Sequence, residues 1–157
     1  MKSFRTKLYR PDVRIGKKAS LRTHLGNNIY NRTGKKQSLA VQMAPGGRTA
    51  VYFSVQNDGD APDGIIVRAS KPRASMKYPR YFRLTFGRQN ITAATVRTGG
   101  RSAKIAPRQT IAYVLRAKPT RGSKKSGQKV TIRARSTADG RAYDVAKAKL
   151  DKARGNR

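Results

Sequence analysis

The stretch Arg48-Thr49-Ala50-Val51-Tyr52-Phe53-Ser54-Val55-Gln56 sets Val51, Phe53 and Val55 on one side and Tyr52, Ser54 and Gln56 on the other. Alternation with a period of two is the pattern of a half-buried strand, because successive side chains of extended backbone point to opposite faces. The same reading extends outward. Phe82, Leu84 and Phe86 alternate with Arg83 and Thr85, and Ile111, Tyr113 and Leu115 alternate with Thr110, Ala112 and Val114. In Lys129-Val130-Thr131-Ile132-Arg133-Ala134-Arg135 the apolar set turns inward and every basic residue turns outward, which predicts a cationic ladder on the solvent face. Shorter candidates are Val13 to Ile15, Leu39 to Met43, Ile65 to Ala69, Ile91 to Val96 and Ala142 to Lys147. Pro45-Gly46-Gly47, Asn57-Asp58-Gly59-Asp60, Thr98-Gly99-Gly100 and Asp139-Gly140 supply turn chemistry between them. Lys118 to Gly127 is too polar to pack and reads as an exposed loop, and Lys147 to Arg157 reads as a basic tail.

These signals predict an all-β antiparallel sandwich of about 7–9 strands. A chain of 157 residues fits one domain. The expected division is a basic arm over 1–10, the sandwich over 11–149 and a basic tail over 150–157. Hydrophobic residues make up 36%, below the usual globular share, so the core is expected to be thin.

Charge is the loudest feature of the composition. Lys and Arg number 37 against seven Asp and no Glu, a formal net charge of +30. Confining so much like charge within a domain of roughly 15 Å radius of gyration is costly, and counter-charge from a partner relieves it. Absence of Cys excludes disulfides, thiolate nucleophiles and Cys-ligated metals. The basic opening Met1-Lys2-Ser3-Phe4-Arg5 has no apolar stretch behind it, so neither a signal peptide nor a membrane span is expected.

A motif order then adds to the residue-level reading. Gly26-Asn27-Asn28-Ile29-Tyr30-Asn31-Arg32-Thr33-Gly34, Gln37, Ala44-Pro45-Gly46-Gly47, Val55-Gln56-Asn57-Asp58-Gly59-Asp60 and Asp63 follow one another at fixed intervals, continued by Asn90-Ile91-Thr92, Ile105-Ala106-Pro107 and Ala134-Arg135-Ser136 with Asp139 and Asp144. This resembles the immunoglobulin-like, fibronectin-like modules of secreted and cell-surface bacterial proteins, over roughly residues 11 to 149. The resemblance implies a sandwich used as a spacer, adhesive or structural module without a catalytic centre. Where the family usually has Gly after the second Pro, this chain has Arg108, which implies a different turn ahead of Ile111.

No catalytic residues are assigned. His24 is the single His, and its expected place is an exposed loop ahead of Gly26. Asp58, Asp60 and Asp63 are the one acidic cluster and could hold Ca2+, but the bidentate Glu of a twelve-residue calcium loop is missing. Turn formation and pairing with neighbouring Arg is the expected role of these acids. Asn27 and Asn28 are expected to fix a hydrogen-bonded corner. Asn31-Arg32-Thr33 and Asn90-Ile91-Thr92 fit the short glycosylation sequon, to which no function is attached.

Basic clusters recur along most of the chain, which predicts a particle coated in cation and not one dedicated reading groove. The candidate polyanion-binding residues are Lys71, Arg73, Lys77, Tyr78, Arg80, Arg97, Arg101, Lys104, Arg121, Lys124, Lys125, Arg133 and Arg135. Tyr78 and Tyr81, set among cations, could stack on a base or sugar face. The functional expectation is a structural or adhesive module at the cell surface, secreted or extracellular, that binds a cell-envelope polymer, an acidic polysaccharide or an acidic protein and self-assembles into oligomers or filaments. The alternative is a cytoplasmic nucleic-acid-binding or packaging protein without sequence preference.

Overall fold

The computed structural model describes residues 5–43, 48–70, 82–86, 89–90, 99–117 and 128–152; for 82–86, 89, 90, 128 and 152 it describes the backbone alone. Ten strands follow in chain order: β1 (Pro11–Gly16), β2 (Ser38–Met43), β3 (Thr49–Asn57), β4 (Asp63–Ala69), β5 (Phe82–Phe86), β6 (Gln89–Asn90), β7 (Gly100–Ile105), β8 (Thr110–Ala117), β9 (Gln128–Ser136) and β10 (Tyr143–Lys152). One 3-10 turn, Leu21–Thr23, lies between β1 and β2. The strands form two five-stranded sheets, in the orders β1-β3-β8-β5-β6 and β2-β10-β9-β4-β7. This is the all-β sandwich that the alternation predicts.

The inner faces carry the alternating apolar residues. Val51, Phe53 and Val55 of β3 and Ile111, Tyr113 and Leu115 of β8 meet Ile65 and Val67 of β4, Val130, Ile132 and Ala134 of β9, and Ala146, Ala148 and Leu150 of β10 in one buried cluster. Phe53 and Tyr113 are cross-strand partners whose rings stack at 4.8 Å and 6°. Burial pushes the Tyr113 phenol up to about 12, since its ionised form would lack solvation.

Three features depart from the sequence reading. Gly100–Ile105 is a strand that is not among the candidates read from alternation. It pairs with β4 through a register shift between Gly64 and Ile66, and Ile105 is its one buried residue. Strand β10 continues through Lys152, so residues 147–152 are not tail; Leu150 is fully buried there. That end pairs in parallel with β2, Lys147 opposite Ser38 and Lys152 opposite Met43, whereas the sequence predicts antiparallel pairing throughout. The expected strand Ile91 to Val96, the turn Pro45-Gly46-Gly47 and the loop Lys118 to Gly127 lie outside the described residues.

A polar corner binds the two sheets at the β1 edge. Val13 of β1 donates its backbone N–H to Asp144 Oδ2 at 2.8 Å and accepts at its carbonyl from Gln37 Nε2 at 2.7 Å. Gln37 Nε2 also donates to Asp144 Oδ2 at 2.6 Å, and Asn31 N–H donates to Asp144 Oδ1 at 2.9 Å. Asn31 closes the loop before β2: its Oδ1 accepts from the N–H of Thr33, Gly34 and Lys35, and its Nδ2 donates to Gln37 Oε1 at 2.8 Å. Gly26 makes room for this arrangement. It sits at φ +104, and a Cβ there would stand 2.7 Å from Gln37 Cγ and 2.8 Å from the Val13 carbonyl. Asn31, Gln37 and Asp144 together are therefore a device that covers a free strand edge with internal partners.

Candidate polyanion-binding face

Register decides where the cations go. On the outer face of the second sheet, Arg133 of β9 stands opposite Arg68 of β4, and Arg135 stands opposite Ile66. Ile66 in turn faces Arg101 of β7, and Gly64 faces Lys104. On the other side of β9, Lys129 pairs with Lys149 of β10 and Thr131 pairs with Lys147. Cross-strand neighbours on one face are about 5 Å apart and alternate residues along a strand about 7 Å apart, so these cations form a grid at that spacing.

The grid is held in part by one aromatic ring. Arg133 lies 3.7 Å and Arg32 4.7 Å from the centroid of Tyr143. The ring faces attract both guanidiniums and draw Arg133 toward β10, away from the like charge of Arg68. Val145, between Arg133 and Lys147 on this side of the strand pair, is 4% exposed, covered although it faces outward. Stems of long cationic side chains shield apolar surface in this way while their heads stay in water. Asp151, near the end of β10, makes an ion pair with Lys149 at 3.2 Å.

The outer face of the first sheet differs. It presents Ala50, Tyr52, Ser54 and Gln56 from β3 and Thr110, Ala112, Val114 and Arg116 from β8. Arg14 of β1 belongs to the same face, where its Nε donates to Asp12 Oδ2 at 2.8 Å. Among the described strand side chains, positive charge is thus denser on the outer face of the second sheet. The sequence predicts an even cationic coat; the register turns Arg68 of β4, Arg101 and Lys104 of β7, Lys129, Arg133 and Arg135 of β9, and Lys147 and Lys149 of β10 to one side.

Of the thirteen predicted contact residues, the structure brings together Arg101, Lys104, Arg133 and Arg135. Lys71, Arg73, Lys77, Tyr78, Arg80, Arg97, Arg121, Lys124 and Lys125 lie outside the described residues. Lys129, already in the outward ladder of β9, joins the face together with Arg68, Lys147 and Lys149, which the sequence reading does not place on it. The outward alternation in β4, β9 and β10 is the sequence signal that could have found them.

The acidic candidates do not converge. Asp58 Oδ2 accepts from the Tyr30 hydroxyl at 2.6 Å, Asp60 Oδ1 accepts from Leu8 N–H at 2.7 Å, and buried Asp63 accepts from Thr137 Oγ1 and Ala138 N–H at 3.1 and 3.2 Å. Each fixes a different segment, and among the described residues none makes the expected ion pair with Arg; they serve as hydrogen-bond acceptors for turns. Among the described residues no group of three or more His, Asp or Glu is placed to hold a metal ion. His24 is buried, not exposed: Gly16 packs against its ring, Nε2 is 2.8 Å from the Lys18 carbonyl and Nδ1 is 3.4 Å from Ser54 Oγ. A ring so enclosed by its own loop is a packing element.

No protein-family model and no curated protein matches the chain. Among solved structures it is similar to part of a family 123 glycoside hydrolase from Clostridium perfringens, at 8% identity and a TM-score of 0.56, over 91% of this chain and 27% of that one. The chain spans about a quarter of that hydrolase. It is also similar to a FixG-related protein from Vibrio parahaemolyticus (6% identity, TM-score 0.43, covering 68% and 79%) and to the N-terminal domain of PorA (13%, 0.43, covering 92% and 99%). The hydrolase likeness extends to the fold alone, since one architecture hosts unrelated activities. Among the described residues no helix is long and apolar enough to cross a membrane.

Proposed function

We propose that this protein is a non-enzymatic binding module that holds an anionic polymer against the outer face of its second sheet, in the setting of the cell surface that its resemblance to immunoglobulin-like modules implies. One observation carries the reading: the strand register gathers Arg101, Lys104, Arg133, Arg135 and Arg68 on a single face, while the described strand side chains of the opposite face include as cations Arg14, paired with Asp12, and Arg116. A flat grid of cations engages an extended polyanion by many weak contacts, none of which demands a particular monomer.

An acidic polysaccharide is favoured over nucleic acid. The aromatic ring on this face, Tyr143, already has two guanidiniums over it, so it does not offer a base a stacking platform. The described residues also present no helix beyond a three-residue turn to enter a major groove. The experiment is a titration with an acidic polysaccharide, duplex DNA and single-stranded RNA over a salt series. Tighter binding to the polysaccharide at equal charge density supports the reading; tighter, steeply salt-dependent binding to nucleic acid favours the packaging alternative.

A further inference from the structure

Arg108, from the turn before β8, meets arginines of the N-terminal part of the chain at the end of the first sheet. Arg10, Arg14 and Arg108 line an open cleft of about 740 Å³ together with Asn28, Tyr30 and Asp58. That volume lies within the roughly 300–1,000 Å³ of small-molecule sites. The lining is positioned by internal contacts: Arg10 lies 4.4 Å from the centroid of the Tyr30 ring, the Tyr30 hydroxyl donates to Asp58 Oδ2 at 2.6 Å and lies 3.1 Å from Asn28 Oδ1, and Asp12 holds Arg14 through Nε.

Arg108 supplies a second, independent observation. Its backbone is in the left-handed region at φ 65, where a side chain is strained and glycine is favoured. The turn is nevertheless fixed in that form, with Arg108 N–H donating to the Asn57 carbonyl at 2.6 Å and Gln56 Nε2 donating to the Arg108 carbonyl at 2.8 Å. Strain of this kind tends to persist where the side chain has a task, and here Arg108 lines the cleft.

The chemistry of the lining restricts the ligand. Guanidiniums match carboxylate and sulfate groups in planar, two-point fashion. Asn28 and the Asp58 carboxylate suit hydroxyl groups, and would repel or waste a bare anion. The Tyr30 ring, already beneath Arg10, gives a nucleobase nothing to stack on. We propose that this cleft binds a single acidic sugar unit, Arg10, Arg14 and Arg108 taking its acid group and Asn28, Tyr30 and Asp58 its hydroxyls. The cleft is separate from the cationic sheet face, and neither site requires the other.

The test is backbone-amide NMR on the full chain titrated with glucuronic acid, glucose, sodium sulfate and AMP. Glucuronic acid is expected to shift the amides of Asn28, Asp58 and Arg108 in a saturable way, with glucose and sulfate at least about tenfold weaker, a difference that corresponds to about 1.4 kcal/mol. Arg108→Gly, which suits the backbone, and Arg10→Gln should each weaken glucuronic acid by about tenfold or more, while Arg133→Gln with Arg135→Gln leaves it unchanged. Absence of shifts at the cleft, equal response to sulfate, tighter binding of AMP, or full affinity in both cleft variants would each overturn the assignment. Loss of polysaccharide binding in the Arg133 and Arg135 variant, with glucuronic acid retained, separates the two sites.

Discussion

Gln37 donates its side-chain N–H to Asp144 Oδ2 at 2.6 Å, joining the loop ahead of β2 to the start of β10 across 107 residues of chain. Both side chains are fully buried. Burial raises the Asp144 carboxyl above the usual range, opposed by the donors Asn31, Val13 and Gln37. Because those donors also close the β1 edge, the pair does structural work at the point where the two sheets would otherwise separate.

Removing Gln37 should therefore cost more than one average hydrogen bond. Gln37→Ala leaves the Val13 carbonyl without its side-chain donor and takes one donor from buried Asp144, and is expected to lower unfolding free energy by roughly 2–4 kcal/mol in urea denaturation. A loss under about 0.5 kcal/mol would show that the corner is not structural.

Asp12 gives a pH signature. It is fully buried, and burial raises its carboxyl to about 6 despite the opposing charge and hydrogen bond of Arg14. With the folded value above the unfolded one, the native state holds the proton more tightly. The stability this contributes is fully present below about pH 4 and is lost as pH rises through 6. Asp12→Asn removes the slope, so the variant's unfolding free energy relative to wild type should rise by on the order of 2–3 kcal/mol between pH 4 and pH 7. Taking the difference cancels the repulsion that all seven acids modulate together. A pH-independent difference would contradict the account.

The ring under Arg133 should matter through charge as well as packing. Tyr143→Leu releases Arg133 toward Arg68, its cross-strand partner. A loss of about 1 kcal/mol is expected at low salt and a smaller one at 0.5 M salt, because the exposed like-charge term is screened while the packing term is not. A loss that does not change with salt would assign the ring to packing alone.

Arg108→Gly should raise stability by roughly 0.5–1 kcal/mol, read as a shift in melting temperature, because glycine adopts the left-handed backbone without strain. A drop instead would mean that the arginine side chain stabilises the turn it occupies.

Most of the sandwich is legible from local patterning, for a physical reason: strands with one buried face must alternate, as Val51, Phe53 and Val55 and the β9 set do. Strand β7 lacks that signal because it lies at a sheet edge and buries only Ile105. The end of β10 is disguised by its small inward residues, since Ala146 and Ala148 alternate with lysines and resemble a solvated tail. His24 is misread because the packing of Gly16 on its ring cannot be inferred from a loop sequence. The cationic ladder on β9 is readable, yet its extension is not: whether Arg68 and Arg101 join it depends on strand order and on the register shift in β4. The arginine cleft is invisible in sequence because Arg108 joins Arg10 and Arg14 only through the pairing of β1, β3 and β8.

The most direct measurement compares two variants that remove equal charge. In one, Arg101, Arg133 and Arg135 become Gln; in the other, exposed Lys17, Lys18 and Arg22 become Gln. Binding of an acidic polysaccharide is measured by calorimetry over a salt series. The first variant should lose at least about tenfold in affinity and show a shallower salt dependence, while the second stays within about twofold of wild type. Equal losses in both would show that net charge alone drives association, and would contradict a dedicated binding face.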